Sequence, residues 1–362
     1  MKVLLIIAFL FCFNSSFSQI ISGYVFDEIT DKPLDGALVY LDGTTLSATT
    51  TANGFFKLAT GQKYNSSLVI SFIGYKTKRV EDPYKYSKPI KVMMQTDVIG
   101  LDEVVITNAG SFTRKQMLRV FREQFLGTTS AGESCIIENE YDIVLYFDLS
   151  TNTLKAKASK PICITNNWLE YEISFDLIDF HVVYDAETLA NFAKQVSFFS
   201  GTTLFTDISK EHSADEKRKK AYLGSYTHFM RTLATEDWKQ QDYMLYADNL
   251  PTNPKDFFKV TDSLDYKKVA LIDIPQSVKS RRVGAAAIGQ QTKKIKNKGK
   301  FSDVNLVVIY RNELQTQLNF NNGFLYVDKN GLFFPLNEIT FGGYMGNLKV
   351  GELLPVDYIY TP

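Results

Sequence analysis

The sequence predicts a mainly β protein: a small N-terminal β-sandwich, then an α+β region of antiparallel sheet with two main helices. Three observations predict it. Between Ile20 and Gln95, short runs rich in β-branched and aromatic residues alternate with turn residues. Two of those turns hold Asp42-Gly43 and Asn53-Gly54, dipeptides that tolerate positive φ. From Thr113 onward the apolar spacing becomes helical over two stretches and strand-like between and beyond them.

In chain order, residues 1–18 read as a secretory signal peptide. Lys2 precedes the almost wholly apolar run from Val3 to Phe13, and Asn14-Ser15-Ser16-Phe17-Ser18 supplies a small-residue end, so cleavage is expected between Ser18 and Gln19. The apolar run is shorter than the roughly 20 residues of a membrane-spanning helix, and no transmembrane segment is expected after cleavage. Phe11 stands before Cys12 where a lipid-anchor motif requires a small residue, so no lipid anchor is expected.

Residues 19–97 form the expected sandwich. Its seven strands are residues 20–27, 37–41, 44–51, 55–59, 68–72, 76–80 and 90–94. Asp42-Gly43 and Asn53-Gly54 each predict a tight type I′ hairpin turn, whose twist matches two antiparallel strands. In Leu68-Val69-Ile70-Ser71-Phe72 the alternation puts Leu68, Ile70 and Phe72 on a core face and Ser71 on the other.

Four motifs occur in order along this stretch: Gly23-Tyr24-Val25-Phe26-Asp27, Pro33-Leu34-Asp35-Gly36-Ala37, Thr49-Thr50-Thr51-Ala52-Asn53-Gly54-Phe55-Phe56, and Ile70-Ser71-Phe72-Ile73-Gly74-Tyr75. They resemble the carboxypeptidase-regulatory-like domain, about a fifth of the chain. The resemblance implies a transthyretin-like, seven-stranded β-sandwich of the kind found at the N-termini of Bacteroidota envelope proteins and nutrient transporters. It implies a structural or interaction module, with no catalytic residue to carry over. Together with the signal peptide it leads to an expected location beyond the inner membrane, in the periplasm or at the outer membrane.

Residues 98–112 read as a linker. Within them, Leu101-Asp102-Glu103-Val104-Val105-Ile106-Thr107 resembles the acidic-apolar segment that follows this domain in TonB-dependent transporters. What lies beyond is expected to be too short for a 22-stranded transporter barrel with strands of about 10 residues. The segment is then a linker, a further sandwich strand or a contact for an energy-transducing protein.

Residues 113–362 form the expected α+β region. Thr113-Arg114-Lys115-Gln116 is a capping box, apolar side chains follow at Met117, Val120, Phe121 and Phe125, and Gly127 supplies the stop. A second box at Ser213-Ala214-Asp215-Glu216 predicts one helix to about Thr235, with Tyr222, Tyr226, Phe229, Met230 and Leu233 on its apolar stripe. Three pieces resemble a larger group of Bacteroidota proteins with this two-part layout: Phe199 to Phe205, Lys219 to Arg231, and Gly351 to Tyr358. That resemblance implies the layout and no activity.

Cys135 and Cys163 remain after signal cleavage, an even count in an exported chain. Residues 136–147 and 153–164 read as two strands joined by Asp148-Leu149-Ser150-Thr151-Asn152, so folding the hairpin brings the two cysteines together. A cross-strand disulfide is expected, worth on the order of 3 kcal/mol. Two free thiols packed as small hydrophobes are the alternative.

The catalytic inventory is thin. The three histidines are His181, His212 and His228, followed three residues later by Tyr184, Asp215 and Arg231. None begins the histidine-glutamate pair of a zinc peptidase, so no metal or other cofactor is expected. Ser225 and His228 stand three apart on the predicted helix, which admits a nucleophile and base or a hydrogen-bonded structural pair. No G-x-S-x-G elbow accompanies them, and the structural pair is preferred. Trp168 and Trp238 are the two tryptophans to inspect for sugar stacking.

One electrostatic feature stands out. Lys279, Arg281, Arg282, Lys293, Lys294, Lys296, Lys298 and Lys300 fall in a stretch without an acid, whereas the whole chain balances 40 basic against 40 acidic residues. That balance does not point to nucleic acid. The local run reads as a solvated loop or as a contact with an anionic partner, such as a membrane surface or acidic glycan. The sequence as a whole leads to a non-enzymatic envelope protein whose partner is another envelope protein or a glycan. The alternatives are a periplasmic hydrolase with a cleft in the second region and an accessory component of a TonB-dependent uptake system.

Overall fold

A computed structural model describes residues 19–97, 111–272, 304–321 and 323–361. The expected signal peptide, the 101–107 segment and the basic run from Lys279 to Lys300 lie outside the described residues.

The N-terminal unit is the expected seven-stranded sandwich. One sheet has the order β4-β1-β7, from β1 (Gln19–Asp27), β4 (Phe55–Thr60) and β7 (Ile90–Met94), with β7 parallel to β1. The other has the order β3-β2-β5-β6, from β2 (Leu38–Leu41), β3 (Ser47–Thr49), β5 (Leu68–Ser71) and β6 (Lys78–Val80). Their facing side chains, among them Val25, Val39, Leu41, Phe56, Leu68, Ile70 and Met94, form one apolar core.

Neither predicted hairpin turn is a two-residue type I′ turn. Leu41 N–H reaches Leu46 O across a wider loop, and only Gly43 of its dipeptide has positive φ. The loop opens because its tip is bonded to the second region. The Asn53-Gly54 turn joins strands that lie in different sheets, so no two-stranded ladder grows from it. The core face of β5 holds Leu68 and Ile70 as expected, and Val69 is just as buried. Its face, which would be solvated on an isolated sandwich, is covered by Leu204, with Tyr40 beside it.

The rest of the described chain packs around two apolar cores. In the first, a six-stranded sheet contains β8 (Cys135–Ile137), β9 (Ile143–Asp148), β10 (Thr153–Ala158), β11 (Ile162–Asn166), and the long antiparallel pair β12 (Tyr171–Tyr184) and β13 (Lys194–Asp207). Helix α1 (Arg114–Phe125) lies on it, capped by the predicted Thr113–Gln116 box. Phe121 and Phe125 of α1 bring their rings to 4.7 Å from Phe180 and 4.9 Å from Phe175. A short helix, α2 (Ser130–Glu133), follows.

The predicted second helix is broken. Helix α3 (Asp215–Tyr222) begins without a side-chain cap, because the Ser213 hydroxyl is turned to Glu170. Gly224 then adopts φ +82 and ends the run. Ser225 caps α4 (Tyr226–Thr235), its hydroxyl accepting from the His228 N–H at 3.2 Å.

Helix α4 buries Phe229, Met230 and Leu233 in the second core. Two antiparallel sheets surround it. One has β14 (Tyr243–Ala247), β15 (Leu250–Thr252), β18 (Leu306–Tyr310), β19 (Leu314–Phe320) and β22 (Ile339–Gly342). The other has β16 (Phe258–Ser263), β17 (Tyr266–Leu271), β20 (Phe324–Asp328) and β21 (Phe333–Phe334). The chain returns through α5 (Gly343–Asn347) and a terminal segment that crosses both cores. Val350 packs into the first core, and Val356 against the sandwich.

Candidate functional site

Two features draw together parts of the chain that are far apart in sequence: a seam that seats the sandwich, and a cleft beside it. The seam is built on the Asp42-Gly43 loop. Asp42 Oδ1 accepts from Thr203 N at 2.8 Å, and Gly43 N donates to Thr203 O at 2.7 Å. Val356 N in turn donates to Gly43 O at 2.7 Å, and Phe205 N to Thr44 O at 3.0 Å. The Thr45 backbone and hydroxyl both donate to Asp357. Tyr40 Oη and Thr202 Oγ1 are 3.1 Å apart and buried. Burial raises the Asp42 carboxyl to about 6, against the opposing hydrogen bond from Thr203.

The cleft encloses about 40 Å³ and lies between α4, the turn joining β20 to β21, and the terminal segment from Leu348 to Tyr358. Beside it the β20–β21 turn passes through Gly331, at φ +83. A Cβ there would stand 2.6 Å from Thr227 O and 3.1 Å from Arg231 Cγ, so only glycine lets the turn close onto the helix. Asp328 shapes the turn, accepting from the N–H groups of Asn330 at 2.8 Å and Leu332 at 2.9 Å, and from the Asn65 amide at 3.1 Å. Burial raises its carboxyl against those bonds.

Two arginines show what is unusual here. Arg218, on α3, is fully engaged: it pairs with both oxygens of Asp207 at 2.8 Å, donates to Leu169 O, and stacks 3.8 Å from the Tyr171 ring centre. Arg231, on α4, donates from Nη1 to Tyr222 Oη at 3.1 Å, and its Nε is buried with no hydrogen-bond partner. Its guanidinium also lies 5.4 Å from the Tyr222 ring centre. Across the cleft Asn330 is 6% exposed; its Oδ1 accepts from Gln62 Nε2 at 3.3 Å, and its side chain also hydrogen-bonds towards the Asp328 carboxyl.

The residues singled out in the sequence are dispersed. Cys135 and Cys163 are both free. The expected bridge fails because β11 pairs with β8 and β12 instead of extending β10, which places Cys135 opposite Asn166. Asn166 shares the buried face of β11 with Ile162 and Ile164, whereas Cys163 points to the exposed face. The two thiols therefore lie on opposite sides of one sheet.

Ser225 and His228 do not form a nucleophile and base. The Ser225 hydroxyl is the helix cap, and the imidazole is held elsewhere: Nδ1 faces the Gly224 N–H at 3.1 Å and the Tyr243 hydroxyl at 3.2 Å, and Nε2 the Gln241 Oε1 at 3.0 Å. Because Gly224 N can only donate, Nδ1 is unprotonated and Nε2 carries the hydrogen. Burial lowers the imidazole pKa and keeps the ring neutral. His212 makes only an exposed ion pair with Asp215 at 2.9 Å. Trp238 is buried in the second core and Trp168 lies under the Lys217 ammonium, so neither offers an open stacking face. Arg231 and Asn330 were not singled out, yet two stretches that were, Lys219–Arg231 and Gly351–Tyr358, form opposite walls of the cleft.

Comparison with known proteins bears on the sandwich. Residues 21–106 match the CarboxypepD_reg-like domain, in agreement with the seven strands in two sheets. The TonB-dependent receptor SusC of Bacteroides thetaiotaomicron is 32% identical over 117 residues, which are 32% of this chain and 11% of the receptor. The chain thus matches only a small part of that receptor's length. One chain of a type II cohesin-X-dockerin complex from Acetivibrio cellulolyticus aligns over 28% of this chain and 71% of its own, at 22% identity and a TM-score of 0.18. That overlap is too slight to bear on the fold.

Proposed function

We propose that this chain is a non-enzymatic protein of the cell envelope, in which the CarboxypepD_reg-like sandwich is an interaction and structural module seated on the body. The carrying observation is the family match over residues 21–106. Two features of the geometry support it. The sandwich is bonded to the body at one end through the Asp42–Thr45 loop, which leaves the opposite end for contacts. The one serine and histidine that sequence could pair for catalysis are both occupied by structural hydrogen bonds. The similarity to a stretch of a TonB-dependent receptor favours a location at the outer membrane and, as a second reading, a role beside TonB-dependent uptake.

The free end of the sandwich is well defined. Tyr75 Oη donates to Asp27 Oδ2 at 2.6 Å and Asp97 N to Gly74 O at 2.8 Å, tying three loops together where the chain leaves β7. Ile29 is 78% and Ile73 96% exposed there. Photo-crosslinking of the full chain in intact cells, followed by envelope fractionation, tests the reading. A discrete envelope partner should be captured by the native chain and lost in the double variant Ile29→Glu/Ile73→Glu, with folding unchanged. Recovery of the chain from the cytosol, or crosslinks indifferent to those substitutions, counts against it.

A further inference from the structure

We propose that the outer face of the sheet formed by β16, β17, β20 and β21 is a docking surface for an anionic lipid bilayer. The register of the ladders fixes which side chains it carries. Val260 stands opposite Val269 and Val269 opposite Leu325, and all three face the second core with Val327 and Phe333. Their neighbours along each strand therefore point the other way: Lys259 on β16, Tyr266 and Lys268 on β17, Phe324 and Tyr326 on β20, and Phe334 on β21. Four aromatic rings meet on that face. Phe334 lies 5.0 Å from Tyr326 and 4.9 Å from Tyr266, and Tyr326 lies 6.0 Å from Phe324. Phe324 and Phe334 remain exposed; Leu264, two residues before Tyr266, and Leu336, two after Phe334, are 100% and 76% exposed. Apolar surface gathered in this way marks a contact with something outside the chain.

Charge identifies the occupant. The cations on the face are Lys259 and Lys268, and its acid, Asp328, is buried and accepts from Asn65, Asn330 and Leu332. The acids of the β16–β17 hairpin are paired, Asp262 with Lys267 at 2.5 Å and Asp265 with Lys63 at 3.1 Å. Lys268 Nζ rests 4.7 Å from the centre of the Phe324 ring, which holds its charge among the aromatics. The described chain leaves the same hairpin at Ile272, whose N–H is bonded to Phe257 O, and residues 279–300 beyond it carry eight basic residues and no acid. Aromatic rings and leucines enter a bilayer at headgroup level while lysines meet its phosphates, so this composition fits an anionic membrane surface. Tyr326 and Phe334 stack on one another, 15° from parallel, and Lys268 covers Phe324, which disfavours a sugar ring as the occupant. The face is separate from the sandwich, and the proposal does not depend on the reading of the sandwich given above.

Flotation of the full chain tests it, with vesicles of phosphatidylcholine alone and of phosphatidylcholine with phosphatidylglycerol, each at low and high salt. Binding to the anionic vesicles is expected at low salt, with far weaker binding to the neutral ones and release by salt. The double variants Lys259→Gln/Lys268→Gln and Leu264→Ser/Leu336→Ser alter no core side chain, and each should weaken binding by about tenfold. Phe334→Trp puts a reporter on the face itself. In the difference from the native chain, its emission should shift to the blue on anionic vesicles and become protected from iodide, which the basic stretch acting alone would not cause. The proposal is overturned if neutral vesicles bind as well as anionic ones, if both double variants bind as the native chain does, or if the introduced indole stays open to iodide. Absence of flotation at low salt also overturns it, and leaves the face to a protein partner.

Discussion

The seam at Asp42 and the cleft at Arg231 share one structural element, the terminal segment from Leu348 to Tyr358, yet they treat polar groups in opposite ways. In the seam, Asp42, Tyr40 and Thr45 each face a partner from another part of the chain, at Thr203, Thr202 and Asp357. In the cleft, Arg231 Nε faces none. Paired buried groups fix one arrangement, because any slip leaves a donor or acceptor stranded. Unpaired donors on a cavity wall fix nothing within the protein. The same segment therefore closes the sandwich onto the body and lines a cleft beside which one guanidinium nitrogen stays unpaired.

The largest expected effect comes from loosening the segment that both regions use. A Cβ at Gly351 would stand 2.5 Å from Gly132 Cα and 2.6 Å from Leu126 O, and neither is a side chain that can turn away. Gly351→Val should destabilise the protein by about 3 kcal/mol, the upper part of the range for overpacking. Urea unfolding followed by far-UV circular dichroism reads the effect as a lower midpoint. A midpoint equal to that of the native chain would mean the segment is not seated as described, and the shared element linking the two regions would be lost.

A smaller effect is expected within the seam alone. Asp42→Ala removes the acceptor for a buried N–H and should cost about 2 kcal/mol. Asp42→Asn keeps an acceptor but cannot ionise, which isolates the charge. Burial raises the Asp42 carboxyl from 3.8 to about 6, so the folded state holds its proton more tightly than the unfolded chain. Its stabilising contribution is complete below about pH 4 and is lost as pH rises through about 6. Asp42→Asn should therefore gain in stability relative to the native chain across that window and hold the gain at neutral pH. A difference between the two proteins that does not change from pH 4 to pH 7 would remove the burial argument for the seam.

The contrast also explains what could be read from the sequence. The seven strands and the Thr113–Gln116 cap were legible because each depends on residues near one another in the chain. The Asp42-Gly43 turn was legible as a turn but not as the seam, since its geometry is set by Thr203 and Val356. The burial of Val69 was not legible for the same reason: Leu204 covers it from another part of the chain. The cysteine bridge was lost because the chain breaks between β10 and β11, and a break moves the partner of a strand without changing its alternation. The helix through Gly224 looked continuous because its apolar stripe runs across the break. For the cleft, the signal at hand was two conspicuous stretches far apart in sequence. Which of their donors would lack a partner depends on packing, and Arg218 and Arg231, thirteen residues apart, meet opposite fates.

The smallest expected effect tests the contrast most directly. Arg231→Met retains an unbranched stem of similar reach, removes the charge, and breaks the bond to the Tyr222 hydroxyl and the cation–π contact with its ring. The loss of those contacts is offset by relief of a buried, unpaired Nε, and stability should change by no more than about 0.5 kcal/mol. Chemical denaturation beside Asp42→Ala makes the comparison in one experiment. A large loss for Asp42→Ala with almost none for Arg231→Met separates a region that holds the protein together from one that contributes little to doing so. Equal losses would make Arg231 a structural residue like Asp42.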